Sequence, residues 1–255
     1  MTTATRPVTA PRQPGLDRPV AMRLAHDEYA RFAEQLHRLS ADDWARPTCC
    51  PGWDVHAMVC HVVGMAEMAA SPVETVRQMR AAKRAGGVFV DALTDLQMRK
   101  HAHRSPGELV TLAEQVGPKA ARGRRRTPSF VRKRRMGVEQ PTDSTRQHTE
   151  PWTNGFLIDV ILTRDTWMHR SDIALAAGLD MVLTADHDGV LVADVVREWA
   201  QRHGQPCTLT LHGPAGGSWS FGDGGPAYEL AAEEFCRILS GRGAGEGLLG
   251  TQVPF

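Results

Sequence analysis

No stretch of this 255-residue chain approaches the roughly 20 consecutive apolar residues that cross a bilayer, so no membrane span is expected. The amino terminus, MTTATRPVTAPRQPG, lacks the apolar core of a signal peptide. Its Thr and Pro content predicts a flexible tail over residues 1–18. Cysteine is sparse: five residues, odd in number and scattered, make no disulfide framework, and a cytoplasmic location is expected. Net charge is also missing, because 30 Lys and Arg against 29 Asp and Glu leave +1. That balance argues against nucleic acid as a partner, although KAARGRRRTPSFVRKRRMG gathers basic residues between Lys119 and Gly137. Only Phe130 interrupts that run as a stacking group. Residues 118–137 are therefore expected to form a basic, solvated or partner-facing loop, able to draw an anionic substrate to a nearby mouth. Glycine clusters at 222–225 and 241–247 follow no parallel strand, which removes a dinucleotide fingerprint.

What is present centres on PWTNGFLIDVILTRDTWMHRSDIALAAG, Pro151 to Gly178. Its length predicts one long helix, with Thr153 or Asn154 at the N-cap and Gly178 as the stop. At about 100° per residue one stripe collects Ile158, Ile161, Leu162, Asp165, His169, Asp172, Ile173 and Ala176. Two acids and an imidazole thus sit inside an apolar face, four and three residues apart, where helical neighbours meet. Burying unpaired carboxylates is costly. A metal ion held by Asp165 and His169 compensates them; a hydrogen-bonded couple, the Asp orienting the His, does so as well. A catalytic metal site needs a third protein ligand and an open position.

Upstream, a helix is expected over about Pro19–Leu39, with Ala25, Tyr29, Phe32, Leu36 and Leu39 inward. Ser40 and Asp43 resemble a capping box. In RPTCCPGWD, Arg46 to Asp54, two prolines and a glycine bar a continuous helix and predict a packed loop. Cys49 and Cys50 are adjacent there and poorly placed to share one metal, so a structural role is expected for them. Asp54 caps the next helix, whose apolar face is Val55, Met58, Val59, Val62, Met65, Ala66 and Ala69. His61 lies at the edge of that stripe, either a packed histidine or the missing ligand; His56 lies on the polar side. Glu74 to about His103 reads as a helix broken near Gly86-Gly87, and Ser105-Pro106-Gly107-Glu108 opens another with a capping box.

Trp44, Pro47, Thr48 and Cys50-Pro51-Gly52-Trp53, followed by a helix bearing His61, resemble the N-terminal domain of the mycothiol-dependent maleylpyruvate isomerase family. That family belongs to the DinB-like metalloenzyme superfamily. Arg164-Asp165-x-x-x-His169-Arg170-x-Asp172-Ile173-x-x-Ala176 is similar to its last bundle helix. The resemblance implies an α+β chain: a DinB-like four-helix bundle over 19–180, then a small sterol-carrier-like α/β domain over 181–255. It implies His61, Asp165 and His169 as metal ligands, although many relatives carry Glu in place of Asp165. Zinc suits these donors, and mycothiol is implied as the thiol co-substrate.

For the C-terminal part, a helix is expected over Thr184–His203, strands at Cys207–His212 and Gly217–Gly222, and a closing helix over Tyr228–Ser240. The ending, Leu239-Ser-Gly-Arg242 and Gly250-Thr-Gln-Val-Pro-Phe255, extends the resemblance. The chemistry then expected is a metal-activated thiolate adding to a small electrophile, as a cis–trans isomerase or an S-transferase. Arg242, with Arg237 as an alternative, is the candidate to grip a substrate carboxylate. Asp172 is the candidate to orient His169, or else to pair with Arg170 or Arg164. A hydrolase working through metal-bound hydroxide, and a non-catalytic binding protein with a structural metal, are the other readings.

Overall fold

The structure is a computed structural model that describes residues 10–255; of the flexible tail expected over 1–18, residues 1–9 lie outside the described residues, while 10–17 are held by contacts and Arg18 opens the first helix. In chain order the helices are α1 (Arg18–Leu36), α2 (Val55–Ala70), α3 (Pro72–Ala85), α4 (Phe89–His101), α5 (Pro106–Arg126), the short α6 (Ser129–Arg132) and α7 (Asn154–Phe156), α8 (Leu162–Ala177), α9 (Val190–His203) and α10 (Ala232–Leu239). The strands are β1 (Gln140–Pro141), β2 (Thr149–Glu150), β3 (Cys207–His212), β4 (Gly217–Phe221) and β5 (Ala227–Ala231). The fold is α+β, mostly helical with a small C-terminal sheet. No helix among the described residues is long and apolar enough to cross a membrane.

The chain divides into two compact units, neither of them contiguous. One comprises residues 18–128 and 162–181; the other comprises 10–17, 129–161 and 182–255. In the first, α1, α2, α5 and α8 form a four-helix bundle in which α5 lies against α1 and α2, as α8 does, while α3 and α4 pack beside α2. Phe32 and Leu36 of α1, Met58, Val59 and Val62 of α2, Leu109 and Val116 of α5 and Ile173 of α8 share its core. Each such side chain contributes roughly 1.5–3 kcal/mol by leaving water.

Local chemistry explains where these helices begin and end. Asp54 Oδ1 accepts from the Ala57 N–H at 2.8 Å, and Ser105 and Glu108 close their capping box. Ser40 and Asp43 close another, which opens a 3₁₀ turn over Ala41–Ala45. α1 stops at Leu36, three residues short of expectation. The basic run also departs from the loop expected over 118–137. α5 continues through Lys119 to Arg126, despite Pro118 inside it, because Val116, Ala120 and Ala121 bury one face in the core.

The other unit carries a three-stranded sheet in the order β4-β3-β5. β3 and β4 are antiparallel with Leu209 opposite Trp219, and β5 lies parallel to β3 with Leu209 opposite Tyr228. Residues 228–231 are thus strand rather than the start of the expected helix, which begins at Ala232. The segment 10–17 is tied down: the Arg12 N–H donates to the Pro151 carbonyl at 2.8 Å and its guanidinium grips Glu150 at 2.9 and 3.0 Å. Before α8 the expected single helix is α-helical at Asn154–Phe156, π-helical over Leu157–Ile161 and α-helical from Leu162. Thr153 Oγ1 caps it by accepting from the Phe156 N–H, and Gly178 ends it at φ +66°.

Candidate metal centre

Asp165 and His169 stand one turn apart on α8, and His61 comes from the middle of α2. The four-residue spacing puts the α8 pair on one helical face, and the packing of α2 against α8 brings His61 to it. His61 Nε2 lies 3.8 Å from Asp165 Oδ2, and His169 Nε2 lies 3.7 Å from Asp165 Oδ1. The two imidazoles meet edge to face, their centroids 5.3 Å apart at 89°. One donor atom from each of the three residues lies within 4.8 Å of the other two.

These separations are too long for hydrogen bonds. Ligands about 2.0–2.1 Å from a tetrahedral zinc ion stand about 3.4 Å apart, so the three donors need only small inward shifts to share one. The state of His61 points the same way. Its ring makes no hydrogen bond among the described residues, and its buried Nδ1 has no partner there, whereas buried polar atoms are ordinarily satisfied. Two imidazole nitrogens and one carboxylate oxygen suit zinc or a similar divalent ion. Both histidines are 6% exposed, while the Asp165 side chain is 20% exposed and leaves a way in.

Asp172 sits one turn beyond His169 and is 1% exposed. Its Oδ2 lies 3.2 Å from His169 Nδ1. A carboxylate only accepts, so Nδ1 carries the proton and Nε2 keeps the lone pair that a metal ligand needs. The other oxygen, Oδ1, accepts from the Cys49 thiol at 2.9 Å.

Trp53 was read from sequence as part of a packed loop and of the family motif, not as part of the site, yet its ring lies 5.3 Å from that of His61 and 5.9 Å from that of His169. A turn aims it there. The Trp53 N–H donates to the Cys50 carbonyl at 3.0 Å, with Pro51 and Gly52 between them and Gly52 at φ +81°. Proline second and a positive-φ glycine third are what a type II turn requires. The Thr48 N–H closes the loop by donating to the Trp53 carbonyl at 2.9 Å. The signal that could have found Trp53 was Pro-Gly read as a turn rather than as a helix breaker.

Arg237 and Arg242 belong to the other compact unit, at the end of α10 and in the turn after it, where the Arg242 N–H donates to the Arg237 carbonyl at 2.9 Å.

Residues 25–174 match the family described as mycothiol maleylpyruvate isomerase N-terminal domain. Two uncharacterised proteins of Mycobacterium tuberculosis, from strains CDC 1551 / Oshkosh and ATCC 25618 / H37Rv, are each 27% identical over 221 residues, covering 81% of this chain and 79% of theirs. The crystal structure of a mycothiol-dependent maleylpyruvate isomerase is similar with a TM-score of 0.54 at 17% identity. A histidine-to-alanine mutant of such an isomerase gives 0.53 at 16%. Each alignment covers 90% of this chain and 91% of the other, and at that identity the likeness is one of fold.

Proposed function

The chain belongs to the mycothiol maleylpyruvate isomerase family, and from that premise we propose that it is a metal-dependent enzyme. It uses the thiol of mycothiol against a small electrophile, as a cis–trans isomerase or an S-transferase. The observation that supports this reading is the approach of His61, Asp165 and His169 to within 4.8 Å of one another. A divalent cation held by those three residues, zinc by the chemistry of the donors, would supply a Lewis acid that keeps a bound thiol ionised near neutral pH.

The remaining work falls to the chain itself. Asp172 fixes the tautomer and the plane of His169 through Nδ1. Trp53 forms an apolar wall beside both imidazoles and limits water there. Addition of the co-substrate's sulfur to a carbon of the electrophile, rotation, and loss of that sulfur give isomerisation; addition alone gives transfer. Either course needs no protein thiol.

The test is metal content together with thiol dependence. The purified protein is expected to hold at least one zinc per chain, and His61→Ala or His169→Ala to lose one equivalent. Turnover is expected to require added mycothiol and to survive Cys49→Ser and Cys50→Ser. Full metal content in both histidine variants sinks the ligand assignment, and turnover without thiol points to a hydrolase.

A further inference from the structure

The turn that aims Trp53 also carries a second group of donors. Adjacent residues in extended backbone send their side chains to opposite faces, which is why Cys49 and Cys50 were expected to be poor joint ligands. Here the backbone bends at both residues, and the Cys50 N–H donates to Thr48 Oγ1 at 3.2 Å. The two sulfurs and one Asp172 oxygen consequently lie within 4.8 Å of one another. Cys49 is exposed, Cys50 half-buried and Asp172 buried, so the cluster has an open side and a charged floor. The thiol of Cys49 already points at that floor, 2.9 Å from Oδ1.

We propose that Cys49, Cys50 and Asp172 form a site for a thiophilic divalent cation, separate from the centre at His61, Asp165 and His169. Two sulfur donors select a soft ion, and the carboxylate adds charge that an ion can neutralise. On binding, each thiol releases its proton to solvent and the cation takes the place of both. The other cysteines offer no competing site, since Cys60, Cys207 and Cys236 are all buried. Burial, assisted by the charge of Asp54, pushes the Cys60 thiol up to about 12.

Cadmium tests the site, because its sulfur-to-metal charge-transfer absorption in the ultraviolet reports thiolate ligands alone. Fully reduced protein is titrated with cadmium and the band is followed. His61→Ala, which does not touch this cluster and removes the competing imidazole centre, is expected to saturate at about one equivalent, and wild type to reach the same band height. The Cys49→Ser/Cys50→Ser double variant is expected to lose the band. Asp172→Asn is expected to shift half-saturation by about tenfold or more, since even partners behind the ligands are worth that much. No band in wild type, or an unchanged band in the double serine variant with a native circular dichroism spectrum, overturns the proposal. Because the imidazole centre contains no sulfur, neither result depends on whether it binds metal.

Discussion

Asp172 is the residue on which most of the local order converges. One carboxylate oxygen faces His169 Nδ1 and the other accepts from Cys49. Asp172→Asn keeps the size but removes the charge that favours a proton on Nδ1, so His169 Nε2 is no longer held as an acceptor. Zinc affinity is expected to fall about 10- to 100-fold, as measured by competition with a coloured chelator. Unchanged affinity would show that His169 is positioned by other means. Much of this constellation was legible in the sequence, because Asp165, His169 and Asp172 lie on one helical stripe and obey one periodicity. His61 showed only as a polar residue at the edge of an apolar face. The contacts of Trp53 with His169 and of Cys49 with Asp172 were not legible, since both depend on a turn and on residues more than a hundred positions apart meeting in space.

Between elements, α5 and α2 come close enough to depend on a single glycine. A Cβ placed on Gly123 would stand 2.0 Å from the carbonyl oxygen of Ala69, so the helices can come this near only because that carbon is absent. Gly123→Ala forces them apart. Overpacking of this kind costs about 1–3 kcal/mol or more, and the melting temperature is expected to drop by several degrees; an unchanged melt would mean that the crossing has slack. The α2–α3–α4 contact carries a different dependence. Lys100 reaches Glu67 at 2.5 Å and Glu74 at 2.6 Å. Burial raises both carboxyls, yet hydrogen bonds from His101 and Lys100 to Glu67, and from Lys100 and Gln78 to Glu74, hold both below the ordinary value of 4.5.

A carboxyl depressed in the folded state stabilises above its unfolded pKa and loses that contribution as the pH falls through its folded pKa. Stability is therefore expected to decline below about pH 4.5. Lys100→Met should flatten that decline while lowering stability at neutral pH, as followed by denaturant melts across pH. Capping boxes and glycine stops were readable because they depend on three or four consecutive residues. The π-helical turn over 157–161 has no such local mark. β5 misled for a related reason: Tyr-Glu-Leu-Ala suits a helix until β3 offers a parallel partner.

At the scale of the whole molecule, binding to the folded state alone is a stability term. A zinc ion held by residues drawn from α2 and α8 has no preformed site in the unfolded chain. At a hundredfold excess over its dissociation constant it adds about 2.7 kcal/mol. Stripping the protein with a chelator is accordingly expected to lower its melting temperature by several degrees, and re-addition of zinc to restore it. In the Cys49→Ser/Cys50→Ser background, which lacks the sulfur cluster, His61→Ala is expected to melt at the same temperature with and without the ion. A shift that persists in that variant would place the ion elsewhere.

The order in which the chain completes its first unit has a consequence for synthesis. Residues 18–128 leave the ribosome with His61 in place, but α8 follows only after 129–161, which fold into the other unit. At roughly 5–20 residues per second, the first histidine waits on the order of ten seconds for Asp165 and His169. Throughout that interval a nascent bundle of three long helices stands open along the flank that α8 will occupy. A stalled or truncated product would thus be an apolar trough holding one of the three ligands, a natural target for holdase chaperones and unable to gather its ion.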